Sequence, residues 1–145
     1  MKIIEKFVNW ITFNGKKETS EKLILQSLKY LQKQHKKKNS ENLFKLALLH
    51  TTPIFWVYIY TNKKRRKKTF WELPGLIKNK MAWISLAIRF ILQTTQKDKK
   101  PFYIKLSKEI YNSSNTNGKS TSILLKDTLH QKVITQKNYI KFYKW

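Results

Sequence analysis

Apolar residues recur at helical spacing from the start of the chain. Ile3, Phe7, Val8, Trp10 and Ile11 fall on one face of a helix, and Asn14-Gly15 follows as its stop, because glycine takes a positive φ without strain. Lys16 and Lys17 then occupy the joint. Thr19 and Ser20 are placed to cap a second helix, whose stripe is Ile24, Leu28 and Leu31, with Lys22, Lys29 and Lys33 turned outward and an end near Gln34. His35 to Asn39 is basic and unpatterned. Ser40 and Glu41 open a third helix carrying Leu43, Leu46, Ala47 and His50, which Pro53 closes.

From Ile54 the period changes to two. Ile54, Trp56, Tyr58 and Tyr60 share one face of a strand and Phe55, Val57 and Ile59 the other, with Thr69 to Leu73 as the returning strand. Thr61 to Lys68 joins them, and its lack of glycine predicts a wide loop instead of a two-residue turn. Pro74-Gly75 ends this arm, which spans about residues 54–74. Met81, Ile84, Ala87, Ile88 and Ile91 then make a strongly apolar fourth helix, the expected centre of the core, with Arg89 as its interior cation. Pro101 suits the first turn of a fifth helix that reaches about Asn112 and faces Ile104, Leu106 and Ile110 inward. Ser113 to Ser120 reads as a polar loop without core residues, and Thr121 or Ser122 can cap a last helix towards Trp145. The pattern predicts a mainly α chain: one domain over residues 1–145, about six helices, and a protruding two-stranded β-hairpin between the third and fourth.

Composition adds what the pattern does not. Hydrophobic residues make up 41% and aromatics 14% of the 145, enough for a core, yet 31 Lys and Arg stand against 8 Asp and Glu, a formal net charge of +23. Self-repulsion of that size opposes compaction and predicts a polyanionic partner. There are no cysteines, which excludes disulfides, a thiol nucleophile and Cys-based zinc sites. His35, His50 and His130 lack metal-ligand spacing and read as structural. The longest apolar stretch, Met81 to Leu92, contains Arg89 and falls short of the ~20 residues that a membrane-spanning helix needs. No G-x-S-x-G setting occurs, and glycines at only 15, 75 and 118 make no phosphate-cradling loop, so Gly118-Lys119-Ser120 reads as coincidence. Neither an enzyme nor a cofactor or metal is expected.

The chemistry that remains is charge and aromaticity. Lys63, Lys64, Arg65, Arg66, Lys67 and Lys68 form six consecutive cations at the arm's tip. Such runs are often solvated surface, but in a chain this basic they read as a finger for nucleic acid, touching mainly phosphates. Trp56, Tyr58, Tyr60, Phe70 and Trp71 stand among these charges. Their rings can stack on unpaired bases or pair across strands to stiffen the arm, and one face of its base has to pack on the helices. The joint Lys16-Lys17, then Lys78, Lys80, Lys119, Lys126 and Lys144, are the further candidates for RNA contact.

Only Arg65, Arg66 and Arg89 among the 31 basic residues are Arg, and Ala, Gly and Pro number three apiece. That bias tracks AT-rich codons, typical of organelles and reduced endosymbionts. The start, Met1 to Lys6, lacks the Arg- and Ser-rich amphipathic pattern of a transit peptide. The expectation is a protein made where it works, in a mitochondrion, with a plastid or an endosymbiont as the alternative.

The order of elements then resembles a known family, the universal small-subunit ribosomal protein seven. Phe7-Val8-Asn9 and Phe13-Asn14-Gly15-Lys16-Lys17 look like its opening helix and joint, with Asn14 where Asp is usual. Glu21-Lys22-Leu23-Ile24, Phe44-Lys45-Leu46-Ala47-Leu48, Val57-Tyr58-Ile59 and Phe70-Trp71-Glu72-Leu73-Pro74 are similar to its second and third helices and its hairpin strands. Leu86-Ala87-Ile88-Arg89-Phe90-Ile91 resembles its central helix, Leu106-Ser107-Lys108-Glu109-Ile110 its fifth, and Phe142-Tyr143-Lys144-Trp145 its terminal motif. The Lys63 to Lys68 run replaces the family's usual glycine pair, and the basic arm before the first helix is cut to a few residues. The resemblance implies a helical bundle with a hairpin arm that binds the 3′ major domain of small-subunit ribosomal RNA. It also implies head assembly, proximity to exit-site transfer RNA and the messenger exit channel, and head and platform neighbours such as ribosomal proteins nine and eleven. A non-ribosomal protein of RNA regulation or processing is the alternative. A basic membrane-surface protein is disfavoured, because no amphipathic, lipid-anchored terminus is present.

Overall fold

The first turn of the fold follows from two adjacent left-handed residues. Asn14 has φ +52° and Gly15 φ +73° in the computed structural model, which describes residues 3–36, 39–64, 67–95, 100–115 and 120–138, and only the backbone of the paired strands between 62 and 69. Asn tolerates this region better than most residues and Gly freely, so the pair reverses the chain after α1 (Ile3–Ile11). A Cβ at Gly15 would meet no atom within 4 Å, so the demand there is on φ and not on space. The same joint starts α2 (Lys17–Gln34): Lys17 N–H donates to Gly15 O at 2.8 Å, and the cap residue Lys16 offers no side-chain acceptor. Thr19 and Ser20 are therefore not caps. They lie in the first turn, where Thr19 Oγ1 donates to Lys16 O and the buried Ser20 hydroxyl donates to Lys17 O and lies 2.9 Å from Thr12 Oγ1.

Helix α3 (Ser40–Thr51) begins where Asn39 Oδ1 accepts from Glu41 N–H, and it stops before Pro53. Leu43, Phe44, Ala47 and Leu48 are buried, but Leu46 faces solvent, a quarter-turn off the expected stripe.

The arm differs from its expected form in two ways. Strands β1 (Phe55–Lys64) and β2 (Lys67–Leu76) pair antiparallel from Phe55↔Leu76 to Lys64↔Lys67, so the ladder runs through the cationic segment and leaves only residues 65 and 66 between its ends. The absence of glycine argued about the turn, whereas pairing propagates from the β-branched and aromatic base without it. Pro74 and Gly75 do not end the hairpin but lie inside β2, opposite Val57 and Trp56. A two-stranded ribbon is all edge, and an edge strand tolerates a proline that cannot donate.

Helix α4 (Lys80–Thr95) is the central one: Ala87, Ile88 and Ile91 have no exposed surface, while Met81 at its start lies outside the core. Asn79 Oδ1 accepts from Met81 N–H at its entry. Helix α5 (Phe102–Ser114) packs on α2, α3 and α4 through Leu106 and Ile110, with Pro101 as its cap residue and two more residues than expected at its end. Helix α6 (Thr121–Thr135) is capped by Ser120, whose Oγ accepts from Ile123 N–H, and it lies against α4 and β1. Phe7 closes the core from α1, its ring edge-on to Phe44 at 5.2 Å.

The predicted coreless loop is partly core. Ser113, Ser114 and Ser120 are buried, as are Ser27, Thr51, Thr95, Ser107 and Ser122 elsewhere. Most of these hydroxyls bond back to their own helix: Ser27 to Leu23 O, Thr51 to Ala47 O, Ser107 to Ile104 O and Ser113 to Glu109 O, all at 2.7–2.8 Å. Burial then costs little, because the polar atom keeps a partner.

Candidate nucleic-acid interface

The two faces of the arm's base meet different helices. On one face α6 reaches it: Phe55 meets His130 edge-on at 6.0 Å, His130 Nε2 accepts from Ile54 N–H at 3.3 Å, and Gln136 Nε2 donates to Glu72 Oε2 at 2.6 Å. The other face, carrying Trp56 and Tyr58, turns towards α1 and α4. Beyond this footing the strands continue outward, and Ile59, Tyr60, Phe70 and Trp71 are all about half exposed or more. The aromatics thus divide: the base packs on helices, and the pair Tyr60↔Trp71 lies in the accessible part.

The expected cations take different places. Lys63 stands opposite Lys68 and Lys64 opposite Lys67 at the far end of the ladder. Arg65, Arg66, Lys119 and Lys144 lie outside the described residues. Lys16 and Lys17 are exposed at the α1–α2 joint, where Lys17 Nζ lies 3.8 Å from Glu21, a solvated pair that leaves the cation's charge available to a stronger anion. Lys78 is exposed on the link from β2 to α4, and Lys80 is exposed as the first residue of α4. Lys126 is different: its ammonium donates to His50 O at 2.6 Å, at the carbonyl end of α3 where a positive charge is favoured.

The structure also shows a groove that no local pattern announced. Trp10, Trp56, Tyr58, Ile77, Ala82, Ser85, Leu86 and Arg89 line an open hollow of about 410 Å³ between α1, the arm and the start of α4. Arg89, expected as an interior cation, instead faces solvent with its guanidinium carbon 5.4 Å from the centre of the Trp10 ring. Lys6 Nζ donates to Met81 O at 2.6 Å and ties the groove's two helices together. Its walls come from three distant stretches of chain, so only the folded molecule assembles them.

All three histidines are engaged within the protein. His50 Nδ1 donates to Ser113 O at 2.9 Å, His35 stacks on Tyr111 with ring centres 3.6 Å apart, and His130 accepts from Ile54. Burial holds the His130 imidazole below its ordinary range, Lys126 adds to this, and Asp127 partly opposes it. That keeps the ring neutral and its Nε2 free to accept. Among the described residues no cluster of His, Asp or Glu can hold a metal ion, and no helix is long and apolar enough to cross a membrane.

Comparison with known proteins gives one consistent answer. The family model of ribosomal protein S7p/S5e matches residues 1–137. Small ribosomal subunit protein uS7 of Wigglesworthia glossinidia brevipalpis is 30% identical over 99% of this chain and 86% of its own length. Small ribosomal subunit protein uS7c of Euglena gracilis is 27% identical over 89% of this chain and 78% of its own. Small ribosomal subunit protein uS7 of Pseudothermotoga lettingae is 28% identical over 89% of this chain and 79% of its own. The helical body, the basic arm and these matches over most of the chain agree: the chain belongs to the ribosomal protein S7p/S5e family, as a non-enzymatic small-subunit protein that binds ribosomal RNA in translation.

Proposed function

We propose that the chain binds the 3′ major domain of small-subunit ribosomal RNA, organises the head of the subunit, and carries its arm to the region of exit-site transfer RNA and the messenger exit channel. The observation that carries this reading is the arm. Its strands stay paired as far as Lys64↔Lys67, so Lys63, Lys64, Lys67 and Lys68 stand at the end of a ribbon whose foot packs on α6. A charge array projected from a rigid body can bridge RNA elements that the body also touches through Lys16, Lys17, Lys78 and Lys80. Lys119 and Lys144, which lie outside the described residues, remain candidate contacts by sequence, and ribosomal proteins nine and eleven are the neighbours in this reading. The Lys-rich composition with three Ala, three Gly and three Pro supports a mitochondrial ribosome as its home, ahead of a plastid one.

The test is affinity for the 3′ major domain against an unrelated RNA of equal length, titrated over salt. Preference that persists as salt rises supports shape-specific recognition, whereas two affinities that collapse together reduce the chain to a polycation. Sedimentation of the endogenous protein with mitochondrial small subunits, or its absence from them, decides the location.

A further inference from the structure

We propose that the groove between α1, the arm and α4 is a socket for one unpaired nucleobase of the bound RNA, the base lying against Trp56 and Tyr58 while its phosphate meets Arg89. The inference rests on the RNA-binding reading above and names what this one hollow takes.

Trp56 and Tyr58 are on the same face of β1, two residues apart, and Gly75 opposite Trp56 adds no side chain to that face. Across from them, Ala82 and Ser85 lie one turn apart on α4 and are short, which leaves the hollow its depth. Trp10 and Tyr58 each keep 42% of their surface exposed, so part of each ring is accessible to an occupant. Arg89 is the one charged residue among those lining the groove, and no carboxylate is among them. Its guanidinium lies over the Trp10 ring, a contact that steadies the group, and the residue stays exposed, so an anion can reach it.

These features select the occupant. A bare phosphate would need cations and no aromatic wall, and a base inside a duplex has no free face to offer. An unpaired nucleotide presents a flat π-surface and an adjacent negative charge together, which matches rings beside an arginine in a chain of net charge +23.

The experiment uses the full chain, a short single-stranded RNA, and an abasic copy of it with equal charge. The single strand is expected to quench tryptophan emission and the abasic copy is not. Trp56→Phe removes part of that quench with affinity held within a few-fold, so a folding defect is not the cause. Trp56→Ala weakens binding to the 3′ major domain by roughly 5- to 140-fold with an unchanged salt slope. Arg89→Gln lowers the slope by about the share of one phosphate. Equal quenching by the abasic copy, or unchanged affinity in Trp56→Ala, overturns the socket. So does a photoreactive aromatic residue at position 56 that crosslinks to a ribosomal protein instead of RNA in the assembled subunit. Should the chain show no preference for the 3′ major domain, the proposed target falls while quenching by the short RNA still judges the socket.

Discussion

Glu109 of α5 lies at the amino end of α6, where its Oε1 accepts from the backbone N–H of Ser122 at 2.9 Å and stands 2.7 Å from the Ser122 hydroxyl. The Ser120 hydroxyl donates to the same oxygen at 2.8 Å. A carboxylate here meets buried donors and the positive end of a helix together. Glu109→Ala removes the acceptor for all of them and is expected to cost about 1.5–3 kcal/mol, read as a fall of several degrees in Tm. Glu109→Gln, which keeps a carbonyl oxygen, is expected to lose less.

Lys126 is a candidate RNA contact by sequence, but its bond to His50 O ties α6 to the end of α3. Lys126→Met keeps the aliphatic stem and removes the charge. The expected result is a lower Tm with little change in the salt slope of RNA binding. A slope reduced by the full share of one phosphate would return Lys126 to the interface.

The burial of His130, with Lys126 beside it, makes stability sensitive to acid. The folded imidazole is held below the ordinary value of 6.5, so between 6.5 and that lowered value the unfolded chain binds a proton that the folded chain does not. Stability from this site is complete above about 6.5 and is lost as pH falls through the folded value. His130→Gln is expected to show a shallower acid loss in urea titrations run at successive pH values. Parallel losses in the two proteins would remove His130 from the account.

Replacing Lys63, Lys64, Arg65, Arg66, Lys67 and Lys68 with glutamine tests the arm. Binding to the 3′ major domain should weaken, and the slope of log K against log salt should flatten by roughly 0.7–0.9 for each phosphate that is no longer neutralised. An unchanged slope would detach the arm from RNA.

The helix-facing hydroxyls lead to a prediction of opposite sign. Ser27→Ala and Ser107→Ala each remove a hydroxyl bonded to its own helix, so no partner elsewhere is orphaned. Since Ala is the better helix former, stability should stay level or rise by about 0.5 kcal/mol. A Tm that drops by several degrees would mean those hydroxyls serve a neighbouring helix.

How much of the fold is legible in the sequence depends on whether the cause is local. Ile24, Leu31, Leu43, Ala47, Ile88, Ile91, Leu106 and Ile110 declare themselves by period, and all are buried. Ser40 and Gln34 mark true helix ends, because capping and loss of the stripe are short-range signals. The start of α2 escapes the capping pattern because a backbone reversal at Asn14-Gly15 does the work that a hydroxyl usually does. Ser113 to Ser120 reads as coreless if polarity is equated with exposure, although a hydroxyl that bonds within its helix can be buried. The groove is invisible because Trp10, Trp56 and Arg89 share no local pattern and meet only after α1, the arm and α4 have docked.

The back-bonded hydroxyls also bear on how such a sequence can change. Only three alanines occur in the chain, so the small residues needed where helices touch must come from elsewhere in the alphabet. A serine or threonine whose polar atom is committed to its own backbone shows its neighbour little more than a methyl-sized bump, and so passes for alanine at close quarters. A coding bias that depletes alanine can therefore exchange letters beneath the surface without obliging any helix to move, and the architecture outlasts the drift in its spelling.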